Sequence, residues 1–87
     1  MAAECADHRL RRLLMRSARR GTKEMDLVLG PFAQARLAAM PPDILDAYED
    51  LLEENDQELY AWVTGRDAAP QRHADLIRSL QEFHIIM

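Results

Sequence analysis

Apolar side chains recur every three or four residues along most of this chain, and that spacing restricts the fold more than any other feature. It is the period of an α-helix that buries one face. No segment of the sequence shows the sustained alternation of apolar and polar residues, bounded by hairpin turns, that half-buried strands produce. The sequence therefore predicts an all-α fold: a small single-domain bundle of about five helices over residues 1–87, with flexible ends at 1–7 and 84–87.

Glycine and proline mark the expected helix boundaries in the first half of the chain. The first helix is predicted to end at Gly21, because glycine takes the positive φ of a helix C-cap without steric cost. Arg19 and Arg20 would then lie in its last turn, where cations suit the helix dipole. Thr22 can cap the next helix. Gly30-Pro31 is expected to kink that second helix.

The second half shows similar signals. Pro42 is placed to be the first residue of a third helix, and Asn55 can cap a short fourth helix that ends at Gly65. A fifth helix is predicted over residues 71–83. The apolar positions expected to face the core are Leu10, Leu13, Leu14, Ala18, Met25, Val28, Leu29, Phe32, Ile44, Leu45, Tyr48, Leu51, Leu52, Leu59, Trp62, Val63, Leu76, Ile77, Leu80 and Phe83.

The net charge of −4 is unevenly distributed. Residues 1–24 hold seven Lys/Arg and three Asp/Glu, whereas residues 43–58 hold eight acids and no base. This pattern predicts a molecule with a basic N-terminal end and an acidic middle, in which the acidic run forms solvated helix faces.

Several functional classes are disfavoured by the sequence. A 48% apolar and 30% charged composition is typical of a soluble globular domain, and no apolar run approaches the roughly 20 residues of a membrane span. Cys5 is the only cysteine, which favours a reducing compartment. His8, His73 and His84 are scattered and are expected at the surface. We therefore predict no catalytic, metal or cofactor site, and no enzyme.

Two kinds of partner remain for the basic end. Arginines on an amphipathic helix are typical of nucleic-acid binding, which would make this a small helical nucleic-acid-binding or regulatory protein. An acidic pI of about 5.2 opposes that interpretation. The alternative is a protein partner: Gly21 would permit close backbone approach, and an adjacent arginine would bind carboxylates or carbonyls.

The segment RRLLMRSARRGTKEMDLVLGPF resembles the signature of the succinate dehydrogenase assembly factor 2 family, also called the FAD assembly factor family. Its mark is Arg-Gly-x-x-Glu, present here as Arg20, Gly21 and Glu24. A second segment, YEDLLEENDQELYAWVTGRDAAP, is similar to the family's second block. The resemblance covers roughly residues 8–83. The further positions that match the first block are Arg19, Asp26, Pro31 and Phe32.

The resemblance implies a helical assembly chaperone. Members bind the flavoprotein subunit of succinate dehydrogenase, and in some bacteria that of fumarate reductase, and promote covalent attachment of FAD to it. FAD would thus belong to the client, and direct binding of FAD by this chain is left open. It further implies a monomer without nucleic acid or membrane insertion, in the bacterial cytoplasm or, in a eukaryote, the mitochondrial matrix.

The resemblance and the adjoining charges give the expected partner-binding residues. Gly21 is interpreted as a close-approach point flanked by Arg20 and Glu24. The plainer alternative is that Gly21 only terminates a helix and that Arg20 and Glu24 form an exposed ion pair. The full predicted set is Arg12, Arg16, Arg19, Arg20, Gly21, Glu24 and Asp26.

Overall fold

Five α-helices and one 3₁₀ turn follow one another along the chain. The computed structural model describes the backbone of residues 6–86 and the side chains of residues 7–85, and no strand occurs in that range. The all-α prediction is confirmed. Residues 1–5, including Cys5, and residue 87 lie outside the described residues. The helices are α1 (Ala6–Ala18), α2 (Lys23–Arg36), α3 (Pro42–Leu52), α4 (Asp56–Val63) and α5 (Gln71–Ile86), with the 3₁₀ turn at Leu37–Ala39.

The predicted helix starts in the middle of the chain are confirmed. Thr22 is the N-cap of α2, and its side chain accepts a hydrogen bond from the backbone of the first turn. Pro42 is the first residue of α3. The Asn55 side chain accepts from the N–H groups of Gln57 and Glu58, at 2.7 and 3.4 Å. Each cap satisfies N–H groups that a helix cannot bond internally.

The second helix contains Pro31 and continues to Arg36, and the kink expected at Gly30-Pro31 stays a prediction. Two predicted boundaries were wrong. The first helix ends at Ala18, so Arg19 and Arg20 lie beyond it. The fifth reaches Ile86, so residues 84–86 of the expected flexible end are helical. Gly30 in α2 lies against Ala18 of α1, because a Cβ at Gly30 would be in ordinary contact with the Ala18 Cα at 3.7 Å. The two helices thus meet closely at small residues.

The predicted core is confirmed in most positions, and its aromatic rings lie together. Phe32 stacks on Tyr48 with centroids 6.1 Å apart and meets Phe83 edge-on at 5.6 Å. Trp62 is 8% exposed and belongs to the same cluster. Ile44 was wrongly predicted, since it is 38% exposed, and so was Ala18, which is exposed at the end of α1. Ile44 lies in the first turn of α3, whereas the buried residues of that helix are confined to its second half.

A buried polar contact joins α1 to α3. The Ser17 hydroxyl donates to the Leu13 carbonyl at 2.8 Å and lies 2.7 Å from the Tyr48 hydroxyl. Burial raises the pKa of Tyr48 to about 12, so the phenol stays protonated and can donate to Ser17. Both hydroxyls are therefore satisfied inside the core.

The arginines of α1 and the acids of α3 form an ion-pair ladder. Arg9 pairs with Asp46 at 2.5 Å, Arg12 with Glu49 at 2.7 Å, and Arg16 with Glu53 at 3.5 Å. The three arginines and the three acids are each separated by three and then four residues along the chain. The two helices therefore run parallel in a fixed register. The prediction of separate basic and acidic ends was wrong, because these charges pair across the two helices; the acids nevertheless remain largely solvated, with Asp46 71% and Glu53 70% exposed. We call these three pairs the arginine–acid ladder.

Lowering the pH should weaken the arginine–acid ladder. A hydrogen bond from Arg12 lowers the pKa of Glu49 below its ordinary value of 4.5. The stabilisation is therefore complete above about pH 4.5 and is lost as the pH falls through the folded-state pKa. Since the pair is partly exposed, we expect it to contribute about 1 kcal/mol or less. Between about pH 5 and 3, the free energy of unfolding should fall less steeply in Glu49→Gln than in the wild type.

The measurement is urea denaturation at a series of pH values. Glu82→Gln is the matched control, because Glu82 is exposed and has no ion pair with any described residue. If Glu49→Gln and Glu82→Gln show the same slope as the wild type, the ladder does not contribute to acid stability.

Candidate functional site

Arg20 holds the turn between α1 and α2 against the rest of the protein. Its backbone N–H donates to the Asp26 carboxylate at 2.6 Å. Its guanidinium Nε donates to the Asp56 carboxylate at 2.8 Å. Two more bonds reach the main chain, to the carbonyls of Leu52 at 2.8 Å and Glu54 at 3.1 Å. We call this set of contacts the Arg20 anchor; it joins the α1–α2 turn to the connection between α3 and α4.

The Arg20 anchor corrects one sequence expectation. Arg20 was predicted to bind a partner, with an exposed ion pair to Glu24 as the plainer alternative, but its side chain is only 11% exposed and its carboxylate partner is Asp56. Because the guanidinium also satisfies two carbonyls, its main role is structural. Asp56 was missed by sequence reasoning. The ladder spacing does not indicate it, because Asp56 lies three residues after Glu53 whereas Arg20 lies four after Arg16, and Asp56 belongs to α4 rather than α3.

A second contact holds the α3–α4 connection from the side of α5. The Glu54 carboxylate accepts from Arg72 Nη2 at 2.8 Å and lies 2.7 Å from His73 Nε2. The hydrogen bond from Arg72, and then that from His73, lowers the pKa of Glu54. His73 was predicted at the surface but is 1% exposed, with its ring 5.8 Å from that of Trp62. The α3–α4 connection is thus held by Arg20 on one side and by the start of α5 on the other.

Gly21 is at the exposed apex of the turn. Its φ is +103°, a conformation that disfavours residues with a Cβ. Apart from its two chain neighbours, no described residue has an atom within 4 Å of the position that a Cβ would take. Arg19 and Glu24 on either side are also exposed, and neither has an ion pair with any described residue. The turn therefore presents backbone flanked by exposed charges of both signs, Lys23 being a further exposed cation there.

The seven predicted partner-binding residues divide into two groups. Arg19, Gly21 and Glu24 are exposed around the turn. The others make internal contacts: Arg12 and Arg16 belong to the ladder, Arg20 to its anchor, and Asp26 accepts from the Arg20 backbone.

A depression of about 310 Å³ opens beside Glu24, between the first turns of α2 and α4. More of its lining is apolar than polar, and the lining residues are Thr22, Glu24, Met25, Asp56, Gln57 and Tyr60. Tyr60 and Gln57 were not identified from the sequence as site residues, because only packing of α4 against α2 brings them to Glu24. Among the described residues, no group of His, Cys, Asp or Glu side chains is placed to hold a metal ion.

No helix in the described part of the chain is long and apolar enough to cross a membrane.

Comparison with known proteins gives a consistent result. A family profile described as "flavinator of succinate dehydrogenase" matches residues 11–84. "Succinate dehydrogenase assembly factor 2, mitochondrial" of Candida glabrata is 36% identical over 85 residues, covering 92% of this chain and 56% of the relative. The protein of the same name from Kluyveromyces lactis is 36% identical, covering 92% and 52%. The Mycosarcoma maydis protein is 36% identical over 72 residues, covering 83% and 30%. The chain thus spans about half the length of the first two relatives and less of the third.

Removing the Arg20 side chain should destabilise the fold. Arg20→Ala leaves the Asp56 carboxylate and two carbonyls without their donor, so we expect a loss of about 2–4 kcal/mol in the free energy of unfolding. Arg19→Ala is the control: it removes the same charge one residue away, from an exposed position, and should change the value by about 0.5 kcal/mol at most. Urea denaturation measures both. Equal effects would show that Arg20 does not anchor the turn.

Proposed function

The chain belongs to the succinate dehydrogenase assembly factor 2 family, and we propose that it binds the flavoprotein subunit of succinate dehydrogenase and promotes covalent attachment of FAD to that subunit. The description of the family as flavinator and the names of the relatives support this proposal. We extend it to fumarate reductase as a second client. In this proposal the protein is a monomeric chaperone, not an enzyme, and FAD belongs to the client.

The observation that carries the proposal is the exposed Gly21 on a rigid turn. A partner backbone can approach Gly21 closely, because no side chain projects there and no neighbouring atom fills the space. The Arg20 anchor holds that surface in one conformation, which lowers the entropy lost on binding. Arg19 and Glu24 supply charges of opposite sign on the two sides, and these can fix the orientation of the partner.

The proposed mechanism is a shift in the conformations of the client. A chaperone that binds one conformer of the flavoprotein more tightly raises its population. If that conformer holds FAD and the acceptor histidine in contact, the linking reaction gains from proximity without any catalytic group of the chaperone. The reaction would take place where the client matures, which we propose is the bacterial cytoplasm or the mitochondrial matrix.

The arginine–acid ladder argues against nucleic-acid binding as the function. Arg9, Arg12 and Arg16 already pair with acids of α3, and the Arg20 guanidinium is mostly buried. Four of the six arginines in the first 24 residues are thus unavailable for several simultaneous phosphate contacts.

Gly21→Arg should abolish the proposed activity without unfolding the protein. The substitution strains a positive φ, at a cost of about 1–2 kcal/mol, and places a long side chain where the partner would approach. Gly65→Arg is a matched control, because Gly65 also has a positive φ of +79° and open space around it, but lies in the α4–α5 connection. The two variants should therefore be destabilised about equally and differ in function.

The assay is co-expression with the flavoprotein subunit, followed by denaturing gel electrophoresis and detection of covalent flavin by its fluorescence. Circular dichroism confirms that both variants are folded. We expect flavinylation with Gly65→Arg and none above background with Gly21→Arg. Normal flavinylation with folded Gly21→Arg would contradict the proposed surface, and a wild-type chain without effect on any flavoprotein subunit would contradict the proposed function.

A further inference from the structure

The structure separates the arginines of the N-terminal region into two sets. Four of them face α3 and α4 and are engaged in the ladder or the anchor. The other two, Arg11 and Arg19, are exposed and have no ion pair with any described residue. A solvated cation costs little, so exposure alone implies nothing. The position of these two relative to each other is more informative.

Arg11, Met15 and Arg19 follow one another at intervals of four residues, which places them on one side of α1. The N–H of Arg19 donates to the Met15 carbonyl at 3.1 Å, so the helical hydrogen-bond pattern extends to Arg19 although α1 itself ends at Ala18. At about 1.5 Å per residue the two arginines are roughly 12 Å apart along the axis. Met15 lies between them and is 54% exposed. We call this row the outer stripe.

The outer stripe begins at the turn that carries Gly21 and leads away from it along α1. A stable protein interface covers roughly 800 Å² on each partner and about 20 residues or more. Residues 19–24 alone are too few to supply that area. The surface that binds the client must therefore extend from the turn, and the outer stripe extends it with two unpaired guanidinium groups and a flexible, exposed thioether. Methionine packs adaptably in such contacts.

Resting on the proposed function, we propose that the outer stripe of Arg11, Met15 and Arg19 is a docking surface for an acidic face of the flavoprotein client, with carboxylates on both sides of an apolar contact. We choose an acidic protein face as the occupant because its charge is complementary to that of the two arginines. Arginine binds carboxylates in paired hydrogen bonds. Asp46, Glu49 and Glu53 are paired with the ladder arginines and not with Arg11 or Arg19. Opposite charges at such a surface mainly accelerate association.

The test is binding of the double variant Arg11→Glu/Arg19→Glu to the isolated flavoprotein subunit, measured by biolayer interferometry at about 50 and 200 mM salt. We expect the Kd to rise about tenfold or more at the lower salt, mostly through slower association. The dependence of the wild-type association rate on salt should also become weaker in the variant. Met15→Ala should raise the Kd severalfold, mostly through faster dissociation.

Arg78→Glu/Arg66→Glu is the matched control. Both arginines are exposed and have no ion pair with any described residue, but they lie in α5 and the α4–α5 connection. This control makes the same change in net charge and should leave the Kd within about twofold of the wild-type value. If charge reversal at Arg11 and Arg19 impairs folding, Arg11→Gln/Arg19→Gln is measured instead. Its Kd should also rise, but by less.

Each outcome of these binding measurements supports or overturns the outer-stripe proposal. Binding of the outer-stripe variant as tight as that of the control pair would overturn the proposal while leaving the proposed function intact. A wild-type chain that binds no flavoprotein subunit would overturn both. Tight, steeply salt-dependent binding of duplex DNA by the wild type, lost in the outer-stripe variant, would assign the stripe to nucleic acid and so reject an acidic protein face.

Discussion

The bonds of the Arg20 guanidinium determine how the exposed turn is presented. They tie the turn to a loop more than 30 residues further along the chain, and Glu54 ties that loop to the start of α5. Gly21 in the turn and Glu24 in the first turn of α2 are therefore held by the contacts of Arg20 on the protein side. A turn of four residues between two helices would otherwise sample many conformations, and a surface that is already ordered loses less entropy when it binds.

Local features of the fold could be predicted from the sequence, and features that depend on packing could not. Pro42 and Asn55 mark helix starts because their effects act within one turn, and the position of Trp62 follows from helical periodicity. Ile44 fits the same periodicity, yet α3 buries only its second half. His73 is buried because α5 begins against Trp62 and Glu54, which no local pattern indicates.

The candidate site shows the same limit. The sequence motif leads to the correct turn, and Gly21 and Glu24 are exposed there. The motif does not distinguish Arg19, which faces solvent, from Arg20, which faces the protein, because adjacent residues differ only in the direction that the turn gives them. Likewise, the basic and acidic segments look like separate surfaces until the helices pack. Their equal spacing could have indicated that they pair.

The shared register of α1 and α3 also limits which changes of length the chain can accept. One residue inserted between Arg9 and Arg16 would rotate the rest of α1 by about 100° and advance it by about 1.5 Å. At least one of the three ladder pairs would then separate, and Arg20 would no longer point at Asp56 unless the turn compensated. Among the described residues, the α4–α5 connection takes part in no such ion-pair register. Insertions and deletions should therefore be tolerated better in residues 64–70 than between Arg9 and Arg16.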